Sequence, residues 1–188
     1  MELTQAIKGR RSVRRFKPDP VPRQVLEGLL ELAQWAPSAM NRQEWFFVVV
    51  AGQKQEELKK IFAGVFEDMR PLLEKQFADR PKIVEGMRIF FETFGGAPVF
   101  ILAYAGKLPS GEWDTHSTAT AVQNLLLAAH AAGLGATWTD GVLRREAQIN
   151  QVLSITDKKL VCVVPVGYAA EEPRVPPRRE GRTTWIGL

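Results

Sequence analysis

The chain has 188 residues, of which 45% are hydrophobic and 24% are charged, and its formal net charge at pH 7 is +4. This composition is typical of one soluble globular domain, and no stretch approaches the roughly 18 consecutive apolar residues that a membrane-spanning helix requires. The single cysteine, Cys162, excludes an intramolecular disulfide, and two histidines without cysteine pairs form no recognisable metal-binding pattern.

Residues 2–9 are predicted to form a short helix with Leu3, Ala6 and Ile7 on one face, ending near Gly9. The first four residues lack the basic and then apolar layout of a signal peptide, so we expect a cytoplasmic location. The segment directly after the helix, Arg10-Arg11-Ser12-Val13-Arg14-Arg15-Phe16, could bind phosphate through its guanidinium groups and its hydroxyl. The alternative is a solvated basic helix end, and this segment alone does not decide between them.

The positive charge is concentrated at the two ends of the chain. Residues 1–23 hold seven Lys or Arg against two acids, residues 173–188 hold four against one, and the remainder is net negative. Two short basic clusters without interleaved aromatic residues do not match a nucleic-acid-binding surface. We therefore expect the phosphate of a small molecule as the partner of these clusters.

Proline residues end the basic segment, and a second helix is predicted from Pro22 to about Trp35, with apolar residues at helical spacing. Residues 36–43 follow as a loop of small and polar residues. The run from Trp45 to Val50 is β-branched and aromatic, which predicts a buried strand in which Trp45 belongs to the core.

The second half of the chain is predicted to alternate helices and strands, after a helical segment over 54–94 that is interrupted at Pro71 and Pro81. The aromatic trio Phe90, Phe91 and Phe94 in this segment is read as core, with a lid over a ligand as the alternative. Thr115 or Ser117 is the expected cap of the core helix. The later elements are a strand over 99–104, a core helix over 118–132, a short strand over 136–139, a helix over 145–153 and a last strand over 160–168.

Familiar catalytic motifs are missing from the sequence. It holds no G-x-S-x-G elbow, no G-x-x-x-x-G-K-[ST] phosphate loop and no G-x-G-x-x-G after a strand. Three other segments occur in a fixed order, with Gln123-Asn124-Leu125 in the core helix before the last of them. They are Arg10–Phe16, Ala36–Trp45 and Gly133–Gly141. With this order and spacing, the chain resembles the nitroreductase family of FMN-dependent oxidoreductases over nearly its whole length.

The resemblance implies an α+β fold in three layers, α/β/α, around a central and mostly antiparallel sheet. Residues 1–188 would form a single FMN-binding domain, and the arm over 171–188 would pack on the other subunit of a domain-swapped homodimer. Two FMN molecules would lie at the interface between the subunits. No metal, nucleic acid or membrane is implied.

The resemblance also implies the residues that contact FMN. Arg10, Ser12 and Arg14 would surround its phosphate, ribityl chain or pyrimidine edge, and Arg11 would contribute its backbone. A loop of the second subunit would approach the flavin, although Glu44 stands where the family commonly has proline. Backbone N–H groups of a strand end would face flavin N5, and one of two arm arginines would complete the phosphate site. The residues of the loop are Pro37, Ser38, Ala39 and Asn41. Those of the strand end are Thr137, Trp138, Thr139, Asp140 and Gly141. The two arm arginines are Arg178 and Arg179.

The function implied by the resemblance is the transfer of two electrons from NADH or NADPH, through FMN, to a nitroaromatic, a quinone or a related small-molecule acceptor. No side chain is assigned a catalytic role, because solvent or the flavin can supply protons. Other flavin reactions on the same fold remain alternatives, namely reductive dehalogenation, flavin fragmentation and dehydrogenation. A flavin-binding module without enzymatic activity is the alternative from another class.

Overall fold

A computed structural model describes residues 1–187, which contain six α-helices and four strands. Leu188, the last residue of the predicted arm, lies outside the described residues. The helices are α1 (Leu3–Gly9), α2 (Arg23–Gln34), α3 (Gln53–Gln76), α4 (Pro81–Thr93), α5 (Thr115–Ala131) and α6 (Glu146–Leu153). The strands are β1 (Trp45–Val50), β2 (Val99–Ala105), β3 (Gly135–Ala136) and β4 (Lys159–Gly167).

The four strands form one sheet in the order β1-β2-β4-β3, and each neighbouring pair is antiparallel. This confirms the antiparallel sheet that the resemblance implies. The predicted strand over 136–139 is shorter than expected. Its residues leave the ladder after Ala136, and only Thr139 returns to pair with Val163 of β4.

Helices cover both faces of the sheet. Along β2, Phe100, Leu102 and Tyr104 belong to the core shared with α3, α4 and α6. The alternate residues Ile101 and Ala103 belong to the core shared with α2 and α5. Because successive strand residues point to opposite faces, this alternation produces a three-layer α/β/α arrangement and confirms the predicted fold class.

Two details of the predicted helices are wrong. The cap of α5 is Asp114, whose Oδ1 accepts a hydrogen bond from the Ser117 N–H at 3.1 Å, rather than Thr115 or Ser117 themselves. Pro71 lies inside α3 without ending it. Proline removes one backbone hydrogen bond, whereas α3 continues because buried residues on both sides of Pro71, including Phe66 and Leu73, hold it against the core.

The predicted core assignments of Trp45 and Cys162 agree with the structure, where both are buried. Burial raises the pKa of the Cys162 thiol, as expected of an unreactive core cysteine. The apolar face of α1 is different, because only Ala6 is buried while Leu3 and Ile7 are exposed. Within residues 1–187, no helix has both the length and the hydropathy of a membrane span.

Candidate functional site

A cavity of about 980 Å³ lies beside α4. Four parts of the chain supply most of its lining, namely residues 14–16, α4, residues 138–141 and residues 170–171. Its volume is at the upper end of the range for ligand pockets, about 300 to 1,000 Å³. The cavity can therefore hold a ring system together with a second small molecule.

Residues 138–141 present unused hydrogen-bonding groups at this cavity. Thr139 exchanges backbone hydrogen bonds with Val163 at 3.0 and 2.9 Å, which fixes the segment to β4. The hydroxyl of Thr139 is buried without a hydrogen-bond partner. Among the described residues, the N–H groups of Asp140 and Gly141 have no acceptor either. Buried polar groups are rarely left unpaired, so the Thr139 hydroxyl indicates a ligand with polar atoms at this place. The N–H groups of the exposed Asp140 and the half-buried Gly141 can donate to the same ligand.

Gly141 lies where α3 and α4 approach the strand end. A Cβ at this position would lie 3.0 Å from Phe91 Cζ and 3.4 Å from Met69 Sδ. Phe94 is fully buried in the core, whereas Phe91 is buried and also lines the cavity, as does the half-buried Phe90. The core interpretation is thus correct for Phe94, and Phe90 and Phe91 serve both the core and the cavity.

Arg10 is half-buried, and its guanidinium forms no hydrogen bond or ion pair with any residue of the range 1–187. Burial lowers the pKa of its guanidinium, and the positive charges of Arg11 and Arg178 lower it further. The two basic ends of the chain therefore meet at Arg10. Cations that are close together without an acidic partner favour the binding of an anion, because the anion offsets their repulsion.

Arg11 and Ser12 connect the basic segment to its neighbours, α1 and the sheet edge. The guanidinium of Arg11 donates hydrogen bonds to the carbonyl oxygens of Lys8 and Arg10, both at 2.7 Å, and so stays at the end of α1. Ser12 bridges to Ala136 of β3, which connects the basic segment to the sheet edge. The expected contact of the Arg11 backbone with FMN stays a prediction.

Glu171 is a residue of this site that the sequence analysis missed. Its carboxylate accepts hydrogen bonds from the Arg14 N–H at 2.6 Å and from Arg15 Nε at 3.1 Å. Glu171 therefore connects the beginning of the arm to the basic segment. Because it binds the backbone of Arg14 and not the side chain, the guanidinium of Arg14 has no acidic partner among the described residues at the cavity. The only signal in the sequence is an acid shortly after the last strand, which many turns share.

The remaining predicted residues lie away from this cavity. Ser38 Oγ accepts a hydrogen bond from the Gln43 N–H at 3.0 Å, and Met40, Asn41 and Gln43 have positive φ angles, so the loop is tightly turned. Within one chain, the structure brings none of the four loop residues to the cavity. It also does not place the following predicted residues on the cavity lining: Arg10, Arg11, Ser12, Thr137, Arg178 and Arg179. The four loop residues are Pro37, Ser38, Ala39 and Asn41.

Comparison with known proteins shows what this architecture is similar to. The sequence profile of the nitroreductase family matches residues 7–168. The iodotyrosine deiodinase of Thermotoga neapolitana is 31% identical over 187 residues, which cover 95% of this chain and 94% of that protein.

Solved structures extend the similarity to the fold. A crystal structure of oxidised iodotyrosine deiodinase bound to FMN and 3-iodo-L-tyrosine superposes with a TM-score of 0.82 at 25% identity, covering all of both chains. The FMN-dependent nitroreductase NfnB from Mycobacterium smegmatis, in complex with NADPH, superposes with a TM-score of 0.80 at 23% identity, covering 98% and 97% of the two chains. The family match over residues 7–168 and the shared fold lead to one conclusion: this chain is a member of the nitroreductase family.

Proposed function

We propose that this chain is an FMN-dependent oxidoreductase that takes electrons from NADH or NADPH and passes them to a small-molecule acceptor. The observation that carries the proposal is that one short segment holds both a candidate anion site, at Arg10, and a residue of the cavity, Arg14. The unpaired cation Arg10 and the cavity residue Arg14 are four residues apart, a distance that the backbone limits to about 14 Å. A cofactor with a phosphate at one end and an aromatic ring at the other fits this spacing.

The polar groups of the site suit the parts of FMN. Arg10 and Ser12, with Arg178 or Arg179 from the arm, would bind the phosphate. Arg14 would lie at the pyrimidine edge, where a guanidinium favours negative charge. The Thr139 hydroxyl and the N–H groups of residues 140–141 would bind the polar edge of the ring near N5. Thr137 and Trp138 would support this strand end.

When bound, FMN accepts a hydride at N5 and supplies two electrons to the acceptor. The chain itself would orient the two ligands, hold charge at the ring edge through Arg14 and keep water from the ring with the apolar side chains of α4. NAD(P)H and acceptor would occupy the cavity in turn, because one face of the ring serves both. A cytoplasmic location, where NAD(P)H is abundant, is part of the proposal.

Steady-state kinetics test this use of one cavity by two substrates. Double-reciprocal plots of rate against NADPH concentration, at several fixed concentrations of a quinone, are expected to be parallel, which is the sign of a ping-pong mechanism. The same plots with NADH in place of NADPH compare the two electron donors. Intersecting lines would show that both substrates bind together and would contradict the shared cavity.

The proposal includes a homodimer with exchanged arms. Large apolar side chains are exposed on α1, α2 and β1, and Trp35, directly after α2, is 79% exposed. Within the described part of the chain, β1 pairs only with β2, so one edge of the sheet is open. The arm exposes Val175, Trp185 and Ile186. A second copy of the chain would cover these surfaces and would bring the loop over 37–41 to the flavin of its partner.

Light scattering on the dilute FMN-loaded protein is expected to give twice the mass of one chain. Trp185→Glu should shift this equilibrium toward monomer and release FMN, because a charge would replace an apolar side chain at the interface. Leu72→Glu is the matched control, since Leu72 is an exposed apolar residue of α3. A stable monomer of the unaltered protein that keeps FMN would contradict the interface site.

Phosphate binding beside Arg10 is expected to raise the pKa of the His130 imidazole. Burial lowers this pKa, and the charges of Arg10 and Arg11 lower it further. A phosphate dianion opposes the effect of those charges, because it favours the protonated ring. The His130 resonance should therefore titrate at higher pH after FMN is added to apo-protein. An unchanged His130 titration would place the phosphate elsewhere.

A second reaction on the same fold, reductive dehalogenation, has one observation in its favour. The Thermotoga neapolitana protein at 31% identity is named an iodotyrosine deiodinase. Both reactions use the same flavin site, so the acceptor that fits the cavity decides between them.

A further inference from the structure

Helix α4 presents two faces of opposite character. Ile83, Gly86, Met87 and Phe90 line the cavity at i, i+3, i+4 and i+7, and none of them carries a charge. Arg88, on another face, donates hydrogen bonds of 2.6 Å to both Glu85 and Glu92. The charged residues of α4 that form this cluster are thus already paired. Its cavity face is uncharged, and its one polar side chain, Thr93, already hydrogen-bonds to the backbone of Ile89 and Gly95.

Gly86 leaves a gap in this apolar face. No atom lies within 4 Å of the position that its Cβ would occupy, and its backbone conformation is helical. Glycine in the middle of a helix destabilises it relative to alanine, so neither the backbone nor a close neighbour explains its presence. Gly86 lines the cavity, where the missing side chain leaves room for a ligand. The flexible side chains of Met69 and Met87 line the same cavity, where they can adapt to a ligand.

Charged groups of the cavity lie on its other walls. They are Arg14 and Arg15 of the basic segment, Asp140 of the strand end and Glu171 of the arm. Glu171 is occupied by Arg14 N–H and Arg15 Nε, and Arg14 is assigned to the cofactor under the proposed function. A zwitterionic amino acid such as 3-iodo-L-tyrosine needs an acid and a base when it is desolvated. The walls formed by α3 and α4 supply neither among the residues that line the cavity.

We propose that α4 makes this enzyme selective for neutral, planar aromatic acceptors and against zwitterionic amino acids, and that the gap at Gly86 sets the size of the acceptor. The inference rests on the proposed function and specifies its acceptor. For a quinone, the reaction is NAD(P)H, H⁺ and quinone giving NAD(P)⁺ and hydroquinone. Two electrons and two protons are transferred to the quinone, and no further reductant is needed.

The experiment compares three acceptors with the FMN-loaded protein and NADPH. These are 2,6-dimethyl-1,4-benzoquinone with one ring, 2-methyl-1,4-naphthoquinone with two rings, and 3-iodo-L-tyrosine. The unaltered protein should have a kcat/KM for either quinone at least about 100-fold above that for iodotyrosine, because unpaired buried polar groups are strongly rejected. Comparable values for iodotyrosine and the quinones would overturn the inference without any variant.

Gly86→Leu tests the gap directly. It should lower kcat/KM for the two-ring quinone by about tenfold or more, since added side-chain atoms occupy the space of the second ring. The one-ring quinone should lose less than about threefold. Glu92→Leu is the matched control, because it places the same side chain on the charged face of α4, and both quinones should keep their kcat/KM. Equal losses for both quinones in Gly86→Leu would overturn the role of the gap.

Equilibrium binding gives a readout that does not depend on turnover. Without NADPH, the two-ring quinone should perturb the flavin absorption of the oxidised protein, with a Kd that rises in Gly86→Leu and stays unchanged in Glu92→Leu. An unchanged Kd in Gly86→Leu would overturn the inference. Failure to bind FMN, or to oxidise NAD(P)H with any acceptor, is a different result, which would refute the proposed function itself.

Discussion

Arg10→Ala is expected to weaken FMN binding about 10- to 150-fold, the largest effect of any single side chain in the proposed site. Arg10 is half-buried beside two other cations and has no acidic partner in the described chain. A phosphate would be its charged partner, and a hydrogen bond to a charged group contributes about 1.5 to 3 kcal/mol. Titration of FMN into apo-protein, followed by flavin fluorescence, measures the change in Kd.

Two further variants show whether the loss is specific. Arg178→Ala and the double variant complete a cycle with Arg10→Ala, and the effects should not add, because both side chains act on one phosphate. Arg23→Ala is the control, since Arg23 is exposed on α2 and pairs with Glu27. A Kd for Arg10→Ala equal to that of the control would make Arg10 a solvated residue at a helix end.

Gly95→Ala is expected to lower the free energy of unfolding by about 3 kcal/mol or more. Gly95 has a φ of +64°, and a Cβ there would overlap the backbone carbonyl group of Arg14. The Phe16 N–H also donates a 2.8 Å hydrogen bond to the Gly95 carbonyl, so neither backbone can move away freely. Strained φ for a non-glycine residue costs about 1 to 3 kcal/mol, and the backbone overlap adds to it. Urea denaturation measures the loss.

Gly96→Ala separates the two contributions. Gly96 has a similar φ of +73°, but the nearest atom to its Cβ position is Phe16 O at 3.7 Å. This variant should therefore show only the conformational cost, about 1 to 2 kcal/mol. If both variants lost the same stability, the close contact between Gly95 and Arg14 would not matter for folding.

The regular elements were predictable because their signals are local. The β-branched runs of β2 and β4 and the apolar stripe of α2 reveal strand and helix within a few residues, and the structure confirms all three. The cap of α5 was missed because Asp114, Thr115 and Ser117 are all good cap residues, and only the backbone conformation selects one. Pro71 was misread because packing outweighs one lost hydrogen bond.

The site was predictable only in part, because it is assembled from distant segments. The charge at the two chain ends and the family resemblance both pointed to Arg10 and to the arm, and the structure brings Arg178 close to Arg10. Glu171 accepts a hydrogen bond from Arg14, 157 residues away in the sequence, and Gly95 contacts the same segment. No local sequence pattern predicts either contact. The loop over 37–41 does not reach the cavity within one chain, so its place at the flavin depends on the proposed dimer.

The FMN content of the purified protein tests the central claim most directly. Absorption between 350 and 500 nm, with the cofactor identified after denaturation, should show one FMN per chain, and apo-protein should regain it on titration. The account predicts a yellow protein whose FMN is lost in Arg10→Ala and kept in Arg23→Ala. A colourless protein that binds no FMN on titration, with its fold intact by circular dichroism, would contradict it.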